Sequence, residues 1–437
     1  MTPEGGAHRS EMPLSTIAVL MLAVFTVSIG YGAVLPLLPY LIERLLIPGS
    51  TSALISRNTG LLTAVYTLAL FLFAPVWGRV SDQYGRRRIL LVGMLGFAAS
   101  TLVFSFIESL TAVYAERFLS GMFAAAVTPV ASAAIGDLAA TDEARARRLT
   151  MVSIAGITGF LLGPMLGVFI ARFGDNIFGV KGPAGSLAIP LFATGLLALL
   201  VALAIGFTVS STSHAAPRRP STAAADGSAR LVLKLLLLAF IVSGGVGVFE
   251  VGLALRGKQE LGLTQYQIAL MFTECSLVMI VAQALVFSPL VNPATTRWLI
   301  TPALAVLAAA LFLVPRASDF ALMLAVVGAV AASAGILSPI LTYWISSKAG
   351  NAQGAELGKQ TAAASLGGTV GSAAGGLLFD IASLPGASFI LMTVVTGIGV
   401  GVSLGLPRFL VPRKLGDVAY EHEAAPVPAP IRREPRS

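Results

Sequence analysis

The stretch GRVSDQYGRRR at residues 78–88 carries five charged side chains in a sequence that is 56% hydrophobic and only 11% charged. It lies between two apolar runs, LLTAVYTLALFLFAPVW at 61–77 and ILLVGMLGFAASTLVF at 89–104. This composition is far outside the range of soluble domains. Because apolar runs of such length cross a bilayer as helices, we interpret residues 78–88 as a polar loop between two membrane-spanning helices.

Similar apolar stretches recur along the whole chain, and each is close to the roughly 20 residues that a helix needs to span a membrane. They predict an all-α membrane protein with twelve transmembrane helices. The predicted spans are 14–41, 54–77, 89–107, 111–137, 150–170, 187–209, 231–255, 266–288, 298–315, 320–345, 360–380 and 388–407.

The apolar pattern is interrupted in the middle of the chain by SSTSHAAPRRPSTAAADGSA, which has the composition of a linker. Residues 210–229 therefore separate a predicted six-helix bundle at 1–209 from a second at 230–411. The polar, Pro-rich segment 412–437 is predicted to be a disordered cytoplasmic tail.

An internal repeat relates the two predicted bundles. Gly163 in GFLLGPMLG is matched by Gly371 in GGTVGSAAGG, at an offset of 208 residues. Pro129 in TPVASA is matched by Pro339 in SPILTY, at an offset of 210 residues. The pattern predicts two parallel six-helix pseudo-repeats, an arrangement in which a binding site forms between the repeats near the bilayer midplane.

The distribution of Lys and Arg over the loops predicts the orientation. Most of them lie on the side that holds residues 78–88, the linker and both termini, so this side is predicted to be cytoplasmic. The net charge of +8 then reflects topology, and no nucleic-acid partner is predicted. The opposite side carries only Arg44, Arg57, Arg172, Lys181, Arg256, Lys258 and Arg316.

GRVSDQYGRRR resembles the cytoplasmic signature between helices two and three of the major facilitator superfamily, and the resemblance covers residues 14 to 408 approximately. The resemblance implies the major facilitator fold and transport by alternating access. The matching positions are Gly78, Asp82, Gly85, Arg86 and Arg87.

Other motifs resemble the drug:proton antiporters of that superfamily, its twelve-helix multidrug efflux branch. IGYGAVLPLLPYL is similar to their first-helix pattern, and RFLSG to their fourth-helix motif, with Ser120 where Gln is usual. GFLLGPMLG is similar to the fifth-helix motif of exporters. VFEVGLAL and GLTQYQIALMF resemble helices seven and eight of quinolone-exporting pumps, which puts Glu250 at the position of their membrane carboxylate.

The resemblance suggests a conformational latch in residues 78–88. Gly78 and Gly85 permit close approach and unusual φ angles, while Asp82 can accept hydrogen bonds or face a helix N-terminus. With Arg86 and Arg87, Asp82 would bridge the two bundles on the cytoplasmic side and favour the outward-open state. The alternative is that the arginines only set topology and bind anionic lipid headgroups.

Helix five has a row of small residues, Gly159, Gly163 and Gly167, on one face. This row predicts close packing against a neighbouring helix, and Pro164 removes a backbone donor and can kink the helix. A hinge or a seal against ion leak is a further hypothesis for the same residues.

Ionisable side chains inside the predicted spans are costly, and such residues usually face a cavity or a partner. Glu250, Glu274 and Arg117 all lie a few residues from the outer ends of their helices, so we expect them to reach one cavity. Removal from water favours the protonated form of a carboxyl group, and a bound cation favours the ionised form. A proton and a substrate would therefore compete for one site. Glu116 is expected to be solvated.

Structural alternatives exist for these three side chains. Glu250 could form an ion pair with Arg256, and Glu274 could accept a hydrogen bond from Ser276. Arg117 could hold helices four and five together. These alternatives remain open at the level of the sequence.

Several aromatic and polar residues are candidates for a substrate cavity that would suit an amphipathic, aromatic or cationic compound. The alternative is that they serve in packing or as interface anchors. The candidates are Tyr31, Phe249, Gln283, Tyr343 and Trp344.

We therefore predict a secondary transporter of the inner membrane, monomeric in the bilayer, that exports small amphipathic compounds in exchange for protons. One alternative is a dedicated proton-coupled exporter of a single metabolite, such as a metallophore or a sugar. Another is a non-transporting membrane sensor.

An enzymatic function, a cofactor and a metal site are not expected. The three histidines, His8, His214 and His422, fall in the predicted tails and linker, away from any candidate cluster. The single cysteine, Cys275, excludes an intramolecular disulfide.

Overall fold

The computed structural model describes residues 13–410 except for 48, 105, 107–108, 139–141, 179–182, 210–225, 287–292, 349–352 and 382–383. The described residues form α-helices, short 3₁₀ segments and turns. Residues 210–225 of the predicted linker, the predicted tail and the three histidines lie outside the described residues.

The first half of the chain forms rods that follow one another through short connections. The 3₁₀ turn Leu35–Leu37, which contains Pro36, joins the first two helices into one apolar rod from Leu14 to Leu45. The helices are α1 (Leu14–Val34), α2 (Leu38–Leu45), α3 (Ser52–Tyr84), α4 (Arg86–Phe104), α5 (Leu110–Ala124), α6 (Val127–Leu138), α7 (Asp142–Phe178) and α8 (Pro183–Thr208).

The second half repeats this plan. Short 3₁₀ segments, Pro293–Leu299 and Val314–Arg316, flank its third helix. The helices are α9 (Asp226–Gln259), α10 (Gln265–Val286), α11 (Ile300–Leu313), α12 (Phe320–Lys348), α13 (Gln353–Leu377), α14 (Ala387–Ser403) and α15 (Leu406–Phe409).

Local sequence signals set several helix ends. Gly85 ends α3 with φ +92°, a left-handed conformation that favours glycine. The Ser109 side chain caps the first turn of α5. At the start of α10, the Thr264 and Gln267 side chains each accept a hydrogen bond from the other's backbone N–H, which is a capping box.

Ten stretches of the described residues are long and apolar enough to cross a membrane, and they coincide with the first ten predicted spans. The protein is therefore a multi-pass membrane protein. The helices α13 and α14 lie at the predicted eleventh and twelfth spans but are not among the ten. The first is rich in Gly, Ala, Ser and Thr, and the second has only 17 residues.

The helices of the two halves pack in matching pairs. The helix α1 packs on α7 as α9 packs on α13, and α4 packs on α8 as α11 packs on α14. Between the halves, α3 packs against α13, and α7 packs against α10. The order of these pairs fits the internal repeat of the sequence.

Glycine rows allow the closest of these contacts. Gly159, Gly163 and Gly167 of α7 face α1, and a Cβ added to Gly163 would lie 2.8 Å from the carbonyl oxygen of Ile29. Gly371 faces the α9 backbone in the same way. Both rows sit where two helix backbones touch, which only small residues permit.

Candidate functional site

A cavity of about 280 Å³ lies between the two halves. The helices α1 and α7 line one side, and α9, α10 and α12 line the other. Its walls are mostly apolar, and Glu250 is the one carboxylate among the lining residues. These are Tyr31, Gly156, Ile157, Phe160, Val246, Phe249, Glu250, Phe272, Cys275, Ser276, Met279, Val330, Ala331 and Ala334.

Glu250 of α9 is bound across the interface between the halves. The Tyr31 hydroxyl of α1 donates a hydrogen bond to Glu250 Oε2 at 2.8 Å. Arg256, the partner that the sequence offered as an alternative, instead pairs with Glu260 and donates to the Ala317 carbonyl oxygen. The carboxyl group of Glu250 is therefore free of that ion pair.

A row of aromatic rings leads from Glu250 into the first half. Tyr31 stacks on Tyr66 of α3, with ring centroids 5.1 Å apart, and on Phe160 of α7 at 5.9 Å. The guanidinium carbon of Arg117 lies 5.5 Å from the Tyr66 ring centroid. Arg117 therefore reaches the neighbourhood of Glu250 through two stacked rings and is not itself a lining residue of the cavity.

The environment of Arg117 corrects one prediction. Glu116 was expected to be solvated, but it is only 3% exposed, and its Oε2 lies 2.9 Å from Arg117 Nε. The guanidinium carbon of Arg117 also lies 4.9 Å from the Phe104 ring centroid. The helices α3 and α4 pack over this part of α5 and exclude water from both side chains, which the position of Glu116 near a helix end did not reveal.

Glu274 of α10 is not a lining residue of the cavity. Its Oε1 faces Gly328 of α12, where an added Cβ would lie 3.3 Å away, and its Oε2 is buried without a hydrogen-bond partner. Ser276 donates to the Phe272 carbonyl oxygen and does not bind Glu274.

Two of the five aromatic and polar candidates, Tyr31 and Phe249, line the cavity. Gln283, Tyr343 and Trp344 are not among the lining residues. The Trp344 indole N–H donates to the Thr296 hydroxyl at 3.2 Å, and the Tyr343 ring packs edge-on against Trp344. Phe160, Phe272 and Met279 were not predicted, since their sequence context is that of any apolar helix.

The residues of the 78–88 stretch contact their own half in this conformation. Asp82 Oδ1 lies 2.5 Å from Arg86 Nη2, and the Asp82 side chain is 62% exposed. Arg87 donates to the Gly206 carbonyl oxygen of α8. A Cβ added to Gly78 would meet nothing within 4 Å. Pro164 lies inside α7, beside Gly32 of α1.

The two halves are joined at the end of the bundle opposite to residues 78–88, which we call the far end. Lys258 Nζ lies 2.5 Å from Glu43 Oε2 and donates to the Pro39 carbonyl oxygen at 2.9 Å. The Tyr40 hydroxyl donates to the Leu263 carbonyl oxygen at 2.8 Å. These contacts close the cavity toward the far end.

A second set of far-end contacts joins α3 to the second half. The Ser56 hydroxyl lies 3.1 Å from Asp380 Oδ2 and 3.2 Å from Gln259 Oε1. One turn further along, the backbones touch at Gly60 and Gly376, where a Cβ added to Gly60 would lie 2.5 Å from the Gly376 Cα.

Matching helical halves, a cavity between them that carries a single carboxylate, and closure at one end define a secondary transporter of the membrane. The chain belongs to the Major Facilitator Superfamily, whose family model matches residues 20–355. It is a transporter of small-molecule substrates and not an enzyme.

Curated relatives of the chain include multidrug and quinolone resistance proteins. Multidrug resistance protein 2 of Bacillus subtilis (strain 168) is 29% identical over 377 residues, which cover 84% of this chain and 89% of the relative. Multidrug resistance protein 1 of the same strain is 26% identical and covers 90% of this chain and 97% of its own. Quinolone resistance protein NorA of Staphylococcus aureus (strain COL) is 24% identical, and the match covers 84% of this chain and 90% of the relative.

Solved structures share the fold. The human organic anion transporter MFSD10 (TETRAN) aligns with a TM-score of 0.65 at 20% identity and covers 90% of this chain and 100% of its own. An auto-inhibited peptide transporter of the POT family aligns with a TM-score of 0.71 at 11% identity, and the alignment covers 90% of this chain and 96% of the transporter. At these identities the likeness concerns the fold alone.

Proposed function

We propose that the protein exports small amphipathic compounds, cationic or aromatic, in exchange for protons by alternating access in the cytoplasmic (inner) membrane. The observation that carries the proposal is Glu250, an acidic side chain in an apolar cavity between the halves, bound by Tyr31 of the opposite half. The names of the Bacillus and Staphylococcus relatives, which are multidrug and quinolone resistance proteins, support efflux as the direction.

The proposed topology has twelve membrane helices, with α13 and α14 completing the ten that are long and apolar by composition. The two six-helix bundles end near residues 209 and 411, with the linker at 210–229 between them, and the protein works as a monomer. The end with residues 78–88 is cytoplasmic, as are both termini. The far end is then external, and its contacts make this conformation inward-facing.

The chemistry of coupling is competition for one carboxyl group. In the ionised form, Glu250 attracts a cationic compound that the aromatic and apolar walls also bind, through cation–π contacts and burial. Protonation removes that attraction and releases the compound. A proton that enters down the membrane potential contributes about 2.3 kcal/mol per 100 mV, which drives the exchange.

Residues 78–88 act as the latch of the opposite conformation. When the far end opens, the cytoplasmic ends of the two halves must approach. Asp82, which is mostly exposed here, would then leave Arg86 and bind across the halves, with Arg87 and the two glycines shaping the contact. The Gly159, Gly163 and Gly167 seam, with Pro164, would serve as the hinge along which α1 and α7 move.

Arg117 and Glu274 are assigned supporting roles in proton coupling. Arg117 supplies a positive charge beyond the Tyr66 and Tyr31 rings. Glu274 is the second candidate proton carrier, because one of its oxygens is buried without a partner.

The test is proton movement in proteoliposomes that contain the purified protein and an internal pH dye. A lipophilic cation, an uncharged aromatic dye, a sugar and a metal chelate are added in turn. The variants are Glu250→Gln and, as the matched control, Glu260→Gln, which removes a carboxylate that is 44% exposed and outside the cavity.

We expect the cation or the aromatic dye to trigger proton flux in the native protein and in Glu260→Gln, and no flux in Glu250→Gln. Flux that survives in Glu250→Gln and disappears in Glu274→Gln would move the carrier to Glu274. A response to the sugar or the chelate alone would favour a dedicated exporter. The absence of flux with every compound would contradict proton-coupled export.

A further inference from the structure

The ion pair of Glu116 and Arg117 lies outside the lining of the cavity that holds Glu250, and it is buried in a membrane-spanning helix. The two side chains are 3% and 5% exposed, and they are consecutive residues of α5. Buried charges of this kind are costly unless they are paired, and in membrane spans they mark functional sites more often than structural ones.

The pairing of Glu116 is incomplete. Its Oε2 lies 2.9 Å from Arg117 Nε, but its Oε1 is buried without a hydrogen-bond partner. A carboxylate oxygen that is shielded from water and has no donor favours the neutral form of the group. Oε1 is therefore the atom at which a proton would bind.

Few charged or polar side chains lie near Glu116. On α5, Arg117 binds it, and the nearby Ser120 hydroxyl donates its hydrogen bond to the Arg117 carbonyl oxygen at 3.2 Å; from α3, the Tyr66 phenol lies near it. The helix α4 contributes the Phe104 ring, and its ionisable residues lie at its other end, in Arg86–Arg88. The charge on Arg117 is thus compensated by Glu116 alone among these groups.

The same pair is connected to the cavity. Arg117 lies over the Tyr66 ring, Tyr66 stacks on Tyr31, and the Tyr31 hydroxyl donates to Glu250. When Glu116 is ionised, it neutralises Arg117. When Glu116 is protonated, Arg117 becomes an uncompensated cation at the end of the row opposite to Glu250, and its charge favours the ionised form of Glu250.

We propose that Glu116 is a second proton-binding site. Its occupancy determines whether the positive charge of Arg117 is compensated, and thereby how readily Glu250 gives up its proton and binds a cation. The inference rests on the proposed proton coupling at Glu250. It assigns two carboxyl groups, one in each half, to a single transport cycle.

The direct test is infrared difference spectroscopy of the purified protein in lipid, titrated from mildly acidic to alkaline pH. The background is Glu250→Gln, so that the cavity carboxyl group cannot contribute. We expect a carboxylic acid C=O band that titrates in this background, disappears on adding Glu116→Gln, and shifts in frequency on adding Glu116→Asp. The matched control, Glu274→Gln, leaves this band in place.

Loss of the band only with Glu116→Gln, or its shift with Glu116→Asp if the Gln variant does not fold, supports the proposal. A spectrum in which no band depends on residue 116 over the whole titration overturns the proposal. Glu116 and Arg117 would then form a permanent ion pair.

A second readout is the pH dependence of cation binding: Glu116→Gln mimics the protonated form of Glu116, so binding of a lipophilic cation should persist to lower pH than in the native protein. The absence of substrate-triggered flux with every compound refutes the proposed function, whereas the band of Glu116 is measured without transport. The two failures are therefore distinguishable.

Discussion

Closure of the far end depends on the contact between Gly60 of α3 and Gly376 of α13, and Gly60→Ala tests it. The added Cβ would lie 2.5 Å from the Gly376 Cα and 2.6 Å from the carbonyl oxygen of Ser372. Carbon atoms in favourable contact are about 3.5–4.0 Å apart, so the two backbones must separate by roughly 1 Å. No flexible side chain is available to move instead.

Overpacking of this kind costs about 1–3 kcal/mol. The penalty applies to the conformation in which α3 and α13 touch and is relieved when the far end opens. At 1.4 kcal/mol per tenfold change, the equilibrium between the two conformations should shift about 5- to 150-fold toward the open far end. We expect a corresponding loss of transport, because the conformation with the far end closed becomes rare.

The assay is a distance measurement between spin labels placed at Ala53 and Leu384, which are exposed at the far end on opposite halves, in a Cys275→Ser background. Gly60→Ala should lengthen the main distance. The control is Gly397→Ala, where an added Cβ meets nothing within 4 Å. A distance distribution in folded Gly60→Ala that matches the control would refute the reasoning.

Three further outcomes follow from the packing and the cavity. Gly371→Ala should lower the thermal unfolding midpoint, because the new Cβ overlaps the Gly244 carbonyl oxygen. Gly368→Ala on the same helix should leave the midpoint unchanged, because its Cβ meets nothing within 4 Å. Equal midpoints for the two variants would contradict close packing of α13 on α9. Cys275 is the one cysteine of the chain and lines the cavity, so its alkylation should slow several-fold when a transported cation is bound. An alkylation rate that is the same with and without the cation would place the cation-binding site elsewhere. Glu43→Gln should change transport less than about fivefold, because the Glu43 side chain is 60% exposed and an exposed ion pair contributes about 0–1 kcal/mol. A complete loss of transport would show that the pair with Lys258 does more.

The helices and their order could be predicted because long apolar runs have few alternative structures in a membrane protein. The glycine row of GFLLGPMLG predicted close packing, and Gly163 touches the backbone of α1. Its match in the internal repeat, Gly371, touches the backbone of α9. The ten apolar stretches lie where the sequence placed them. The weakly apolar α13 is recognised by its glycines and its match to α7.

The rotation of each helix could not be predicted. These helices are apolar on nearly every face, so the sequence does not say which face meets the cavity. Trp344 was expected there but binds Thr296, whereas Phe160 was not expected and lines the cavity. The burial of Glu116 depends on how α3 and α4 cover α5, which is a property of the packed bundle and not of any one segment.

The claim that proton and substrate share Glu250 is tested most directly by proton release on binding, without any membrane gradient. Purified protein in weakly buffered detergent is mixed with a lipophilic cation that it binds, and the pH change is recorded. We expect protons to be released by the native protein and by Glu260→Gln. In Glu250→Gln, binding of the cation should weaken and release no proton from this site. Proton release in Glu250→Gln equal to that of the native protein would contradict a shared site.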